Sequence, residues 1–386
     1  LYTYTAGSTT PETTYADNGG ATQNANPIVL DAAGRPPSEI WLSANTNYKF
    51  VVKTSTGTLI RTYDDIPGAN DSSLLDAFIV ELANTSNIAQ GDALVGFKQA
   101  NASGIFAGAV SRTVHDKLTE FVSVLDFGAV GNGITDDTAA IQSAVNSLHT
   151  SGGGTLYFPT GTYLLNGKNT PINNNSRLVD GIFLYSNITI KGDGFGSVIK
   201  VATNCANAFV FGNYTADVTI ATNINNVIIK DIQISRDAAT FYEFNFQIFI
   251  QSAANVLIDN VYFNGWSGDA ICIGSVNDPT LSTYYAAIAD NIRICNCTFD
   301  GVDNNNRQAV SIFSGTNIEI CNNYIKNTTR SNMPGAIDLE PDKAFHIITN
   351  ISIHDNSFDN IGGSVGVISL ALNNALTTKS FTPSPK

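Results

Sequence analysis

Between residues 187 and 350 the chain repeats an Asn immediately before an aliphatic residue at Asn187, Asn226, Asn255, Asn291, Asn317 and Asn350. Five positions after each Asn stands a turn former: Gly192, Asp231, Asn260, Asn296, Asn322 or Asp355. Eight positions after it stands a large apolar residue: Phe195, Ile234, Phe263, Phe299, Ile325 or Phe358. The Asn residues lie 26 to 39 positions apart, so the core positions keep a register while the loops between them vary. Strand, tight turn, strand and variable loop at such a period make one coil of a parallel β-solenoid. A coil cannot bury its inward residues alone, and stacking coils about 4.8 Å apart builds one continuous core. Helical or Leu-rich repeats lack this pattern, and a β-sandwich gives no reason for the same turn residue in every repeat.

A second strand aligns in each coil without gaps. The segments are 246–251, 269–274, 308–313, 335–340 and 366–371. Their inward columns read Ile248, Ile271, Val310, Ile337, Ile368 and Ile250, Ile273, Ile312, Leu339, Leu370. Upstream, Ile141, Ala144, Val145 and Leu148 fall at i, i+3, i+4 and i+7, which predicts a helix from Thr135 to His149 capping the open end of the solenoid. Thr135 is placed to cap it, with Asp136 and Asp137 in the positive first turn.

Residues 1–66 read as a small antiparallel β unit with strands at Pro27–Leu30, Glu39–Leu42 and Tyr48–Val52. Residues 67–121 read as a neck, with helices at Ser73–Leu82 and Ser111–Glu120 and too few large apolar residues for a core of their own. Residues 122–386 form the solenoid.

Composition narrows the function. The formal net charge of −13 and the pI near 4.6 exclude a nucleic-acid binder, which needs a basic surface. No apolar run approaches the roughly 20 residues of a membrane-spanning helix, so no membrane insertion is expected. Leu1 opens the chain with no signal-peptide pattern, so secretion by that route is not expected. The five cysteines, Cys205, Cys272, Cys295, Cys297 and Cys321, are too scattered for a disulfide framework and read as buried free thiols. His354 falls in a ladder with Asp259, Cys295 and Cys321 and reads as structural, as does His346. Neither a metal nor a cofactor is expected.

On the aligned second strand two acids stand out. Asp338 and Glu340 lie two apart, so both point outward from the same strand face with Cα atoms about 6.5–7 Å apart. At that distance one carboxylate raises the pKa of the other, which divides the pair into a proton donor and a base or nucleophile. Glycoside hydrolysis needs two such groups. Asp269, two coils lower, and Asp342 are further candidates. Phe313, Trp266, Tyr284 and Tyr285 are candidate stacking surfaces for sugar rings, and Arg307 and Arg330 candidate partners for acidic sugars.

The runs Ser111 to Leu118, Val122 to Ala129 and Gly133 to Gln142 closely resemble bacteriophage tailspikes of the pectate-lyase-like right-handed β-helix superfamily. Leu82 to Ser86 with Gly91 to Phe97 is similar to their neck, and Tyr4 to Thr10 with Asn26 to Arg35 to a virion-attachment module. The resemblance implies a homotrimer in the phage tail that joins other tail, baseplate or adaptor proteins through its N-terminal domain. It further implies binding and cleavage of bacterial surface polysaccharide, capsule or O-antigen. Gly335 to Pro341 is similar to a motif of β-helix polysaccharide-degrading proteins, which carries the catalytic role to Asp338 and Glu340. Hydrolysis is the expected reaction. The alternatives are a lyase using Arg330 or Lys343, and a non-catalytic adhesin or structural fibre.

Overall fold

The computed structural model describes residues 1–386 except 45, 69–71, 167–180, 204, 212–223, 237–240, 242, 244, 275–288, 303–305, 342–345 and 371–386. It divides into two compact units, Leu1–Thr119 and Glu120–Lys386, so the head and all but the last two residues of the neck distinguished in the sequence fall within one unit.

In the first unit the strand Asn47–Lys53 lies between Tyr2–Thr5 and Leu59–Pro67 in an antiparallel sheet. Tyr48 is its fully buried centre, and the phenol donates to the Thr13 carbonyl at 2.7 Å while accepting from the Ser43 amide at 2.9 Å. Pro27–Leu30 is not a strand; Ile28 instead exchanges two backbone hydrogen bonds with Leu1, and only its own side chain is buried deeply. The helix Ser72–Leu82 is present, whereas Ser111–Glu120 splits into a strand, Ser111–Thr113, and a short helix, Val114–Leu118. A reciprocal capping box between Thr113 and Asp116 starts that helix.

The second unit is a parallel β-solenoid. One face is a seven-stranded sheet that runs in order through Ile182–Leu184, Phe209–Phe211, Ile248–Ile250, Ile271–Ile273, Val310–Ile312, Ile337–Leu339 and Ile368–Leu370. The other strands form a fourteen-stranded sheet. Coil pairs with coil in parallel throughout, and the two inward columns expected from the sequence pair residue for residue. Crossovers between parallel strands of one sheet are right-handed in nearly all proteins, which gives a right-handed parallel β-helix.

The recurring Asn has a backbone cause. Asn187, Asn226, Asn255, Asn291, Asn317 and Asn350 all have φ between 50° and 63°, the left-handed region that Asn tolerates better than other residues bearing a Cβ. The second turn column, from Asp231 to Asp355, shares the conformation. Side-chain amides then join the corners coil to coil, as from Asn226 to Asn187 at 3.0 Å, Asn291 to Asn255 at 2.7 Å and Asn350 to Asn317 at 2.6 Å.

Two expectations move. The core residue in register with Ile234 is Ile199, while Phe195 is 43% exposed in the loop before it. The helix spans Thr138–Thr150, three residues later than expected, because Asn132–Asp136 pairs as a strand with Gly161–Leu165. Asp136 rather than Thr135 accepts the Thr138 amide, at 3.0 Å. The helix still buries Ile141, Ala144, Val145 and Leu148 in the solenoid core.

Candidate functional site

The outward column of the seven-stranded sheet reads Phe183, Val210, Phe249, Cys272, Ser311, Asp338 and Ser369. Its lower part is apolar: Val210, Phe249 and Cys272 pack with Phe246, and Phe183 and Phe313 lie against them. Its upper part is a polar cluster. Strand periodicity sends these side chains away from the core, yet Asp338 is 0% and Asp269 1% exposed, so the outer face is itself closed over.

Asp338 accepts hydrogen bonds on both oxygens, from Gln308 Nε2 at 3.1 Å and from the Ser369 hydroxyl at 2.5 Å. Asp269 accepts from the Ser311 hydroxyl at 2.7 Å through Oδ2. Its Oδ1 has no hydrogen-bond partner and lies 3.9 Å from Arg307 Nε. Burial pushes the Asp269 carboxyl up from 3.8 to about 6; Arg307 and Ser311 oppose the rise, and the nearby Asp338 adds to it. Arg307 is 14% exposed and pairs with Glu243 at 2.9 Å. Burial lowers its pKa, but Asp269, Glu243, Glu340 and Asp338 together raise it further. Two residues beyond Asp338, Glu340 has a partly buried side chain, and its amide donates to the Ile312 carbonyl at 2.9 Å.

The structure therefore brings Asp269, Asp338, Glu340 and Arg307 into one electrostatic cluster. Phe313 lies partly buried beside it, 6.4 Å from the His346 ring. Trp266 does not offer a stacking surface: it is fully buried in the solenoid core, edge-on to Phe299, with its indole N–H toward the Arg307 carbonyl at 3.4 Å. A large aromatic beside a glycine reads as a loop residue in sequence, and here the loop folds inward. Arg330 is half-buried and stacks on Phe241, 3.6 Å from the ring centroid. Tyr284, Tyr285, Asp342 and Lys343 lie outside the described residues.

Gln308, Ser311 and Ser369 escaped the sequence reading. The signal that finds them is diagonal: a residue two before the strand of one coil meets the central residue of the next coil's strand, as Asp269 meets Ser311 and Gln308 meets Asp338. A separate open cavity of about 380 Å³ lies on the fourteen-stranded sheet, lined by Asn226, Ile228, Asn255, Val256, Leu257, Asn291 and Arg293, and holds none of these carboxylates.

A family described as rhamnogalacturonase A/epimerase, pectate lyase-like, matches residues 121–357. Mannuronan C5-epimerase AlgE1 of Azotobacter vinelandii is 46% identical over 81 residues, 20% of this chain and 5% of its own. The tail spike protein of Shigella phage Sf6 is 26% identical over 219 residues, 55% of this chain and 33% of its own. The chain thus spans a third or less of these curated relatives. In three dimensions it is similar to the tailspike protein of E. coli bacteriophage HK620, solved in complex with a pentasaccharide, with a TM-score of 0.56 and 16% identity over 77% of this chain and 56% of that one. That likeness is one of fold. The family match covers more than half of the sequence and spans most of the stacked coils, and on that ground the chain belongs to the rhamnogalacturonase A/epimerase, pectate lyase-like family.

Proposed function

We propose that the chain is a bacteriophage tailspike that binds a bacterial surface polysaccharide and hydrolyses its glycosidic bonds at the Asp269–Asp338–Glu340 cluster. The observation that carries the reading is Asp269. It is buried beside a second carboxylate, and burial raises its carboxyl from 3.8 to about 6, so it keeps its proton to a higher pH than an ordinary aspartate, as suits a general acid. In this mechanism Asp269 passes its proton to the leaving glycosidic oxygen. Asp338 or Glu340 takes a proton from the attacking water, or attacks the anomeric carbon itself before water releases the sugar. Access to the cluster requires the closed outer face to open, and sugar hydroxyls then replace the Gln308 and Ser369 contacts. Phe313 supplies flanking surface, and Arg330 and Tyr285 remain candidate sugar contacts.

The same reading makes the chain a homotrimer on the virion tail, with residues 1–66 facing other tail proteins and residues 67–121 as the trimer neck. Leu75, Phe78, Ile79 and Leu82 support the neck: they are all exposed, at i, i+3, i+4 and i+7 of one helix, a seam that burial against other copies would satisfy. Among the described residues no helix is long and apolar enough to cross a membrane.

Arg307 favours a second reading, in which a uronate carboxylate pairs with the guanidinium and the cluster removes the adjacent proton, cleaving the chain by elimination. Mass spectrometry of purified host polysaccharide after incubation separates the outcomes. Fragments that have gained water support hydrolysis, unsaturated fragments replace it with the lyase, and intact glycan leaves an adhesin.

A further inference from the structure

On the fourteen-stranded sheet, away from the carboxylate cluster, three neighbouring strands end at one corner: Ala289–Cys295, Gly315–Cys321 and Ile348–His354. Their register sets Cys295, Cys321 and His354 in one column and Arg293, Glu319 and Ser352 in the next. Glu319 and Cys321 are two apart on one strand and share a face, and His354 stands beside Cys321 on the adjoining coil. A carboxylate oxygen of Glu319, the Cys321 sulfur and an imidazole nitrogen of His354 all lie within 4.8 Å of one another.

The surrounding groups orient these donors. Asp355 Oδ2 lies 2.8 Å from His354 Nδ1, while Nε2 points to Glu319 Oε1 at 3.1 Å. A carboxylate holding one ring nitrogen so that the other faces a ligand set is the usual outer shell of a metal-binding histidine. On the other side, Arg293 Nε holds Glu319 Oε2 at 2.7 Å, which leaves Oε1 as the inward oxygen. An Arg293–Glu319–His354–Asp355 ion-pair ladder runs through these groups, and the Cys321 sulfur accepts one long hydrogen bond from Arg293 Nη2, at 3.9 Å.

We propose that Glu319, Cys321 and His354 form a divalent metal site of the zinc class that fastens the last two described coils together. One thiolate, one imidazole and one monodentate carboxylate suit the borderline-soft, tetrahedral Zn(II) ion, with water in the fourth position. Cys321 lies at the bottom of the site, and the half-exposed Glu319 and His354 form its rim. Binding releases the Cys321 thiol proton and, where the imidazole is charged, the His354 Nε2 proton. The thiolate and carboxylate then balance the dication.

The test is titration of the full chain, reduced and freed of metal by chelator, with Co(II) and then Zn(II). The expected result is about one equivalent of Co(II) bound with a thiolate-to-cobalt charge-transfer band and tetrahedral d–d absorption, displaced by Zn(II) together with a rise in Tm. Cys321→Ser removes the charge-transfer band, and Asp355→Asn weakens Zn(II) about 10- to 100-fold. His354→Gln, at a 43% exposed side chain, also weakens Zn(II) at least about 10-fold and carries the test should Cys321→Ser misfold. No charge-transfer band on adding Co(II), a band that survives in Cys321→Ser, or Zn(II) affinity unchanged in His354→Gln overturns the proposal. Glycan cleavage is not read here, so this test and that of the proposed function fail independently.

Discussion

Ser311 hydrogen-bonds at 2.7 Å to Asp269, which lies two residues before the strand of the preceding coil, and Gln308 repeats the relationship one coil higher by donating to Asp338 at 3.1 Å. The polar cluster is thus a diagonal lattice between stacked coils. Asp338 is held by side chains of the coils on both sides, and Asp269 by Ser311 of the following coil.

The first prediction concerns pH. Because burial raises Asp269 from 3.8 to about 6, the folded chain holds a proton between about pH 4 and 6 that the unfolded chain has released. The associated stability is fully present below about pH 4 and is lost as pH rises through 6, a deficit of about 3 kcal/mol above that. Asp269→Asn is expected to flatten the change in stability between pH 4.5 and pH 8, read by thermal unfolding, and to abolish glycan cleavage. An unchanged slope disproves the assignment of the shift.

At Asp338 the two roles separate. Asp338→Ala strands the buried Gln308 amide and Ser369 hydroxyl and is expected to cost about 2–4 kcal/mol. Asp338→Asn keeps an acceptor and most of the stability, yet loses cleavage if the carboxylate acts in the reaction. Full cleavage by a folded Asp338→Asn chain removes Asp338 from the mechanism.

Backbone strain at the corners is separable from hydrogen bonding. Asn255 has φ 57° and an exposed side chain that accepts from Asn291 at 2.7 Å. Asn255→Gly loses only that contact, about 0.5–1.5 kcal/mol. Asn255→Val adds about 1–2 kcal/mol for forcing a β-branched residue into the left-handed region. Equal losses of Tm in the two variants contradict this account.

In the neck, Ile79→Asp places a charge in the exposed apolar seam of the helix Ser72–Leu82. Sedimentation is expected to show trimers for the native chain and smaller species for the variant, with the solenoid's circular dichroism unchanged. A native chain that sediments as a monomer refutes the trimer.

The inward ladders and the Asn corners were legible in the sequence because both follow from local rules, period-two alternation and tolerance of positive φ. Asp338, Glu340 and Asp269 stood out as candidates because acids interrupt otherwise neutral stacked positions, and the structure brings them into one cluster. What covers an outward face is not a local property, so the closure over Asp338 was not legible, nor was the folding inward of Trp266. Phe195 fits the spacing but misses the ladder, because a glycine-bearing loop, Gly192 to Gly196, shifts the strand and puts Ile199 in its place. The helix start moved for a related reason: pairing with Gly161–Leu165 claims residues that would otherwise cap it.

Eight of the amides at the corners donate from a later coil to an earlier one: Asn260 to Asp231, Asn296 to Asp259, Asn317 to Asp290, Asn327 to Asp300 and Asn360 to Asn327 repeat what Asn226, Asn291 and Asn350 do, while Asn323 donates the other way, to Asn356. Each coil therefore presents an acceptor to its successor and a donor to its predecessor, like identical couplings along a train. Duplication or removal of one whole coil leaves every joint matched, whereas a partial insertion at a corner breaks a coupling. A chain built this way is free to lengthen or shorten in units of one turn of the helix.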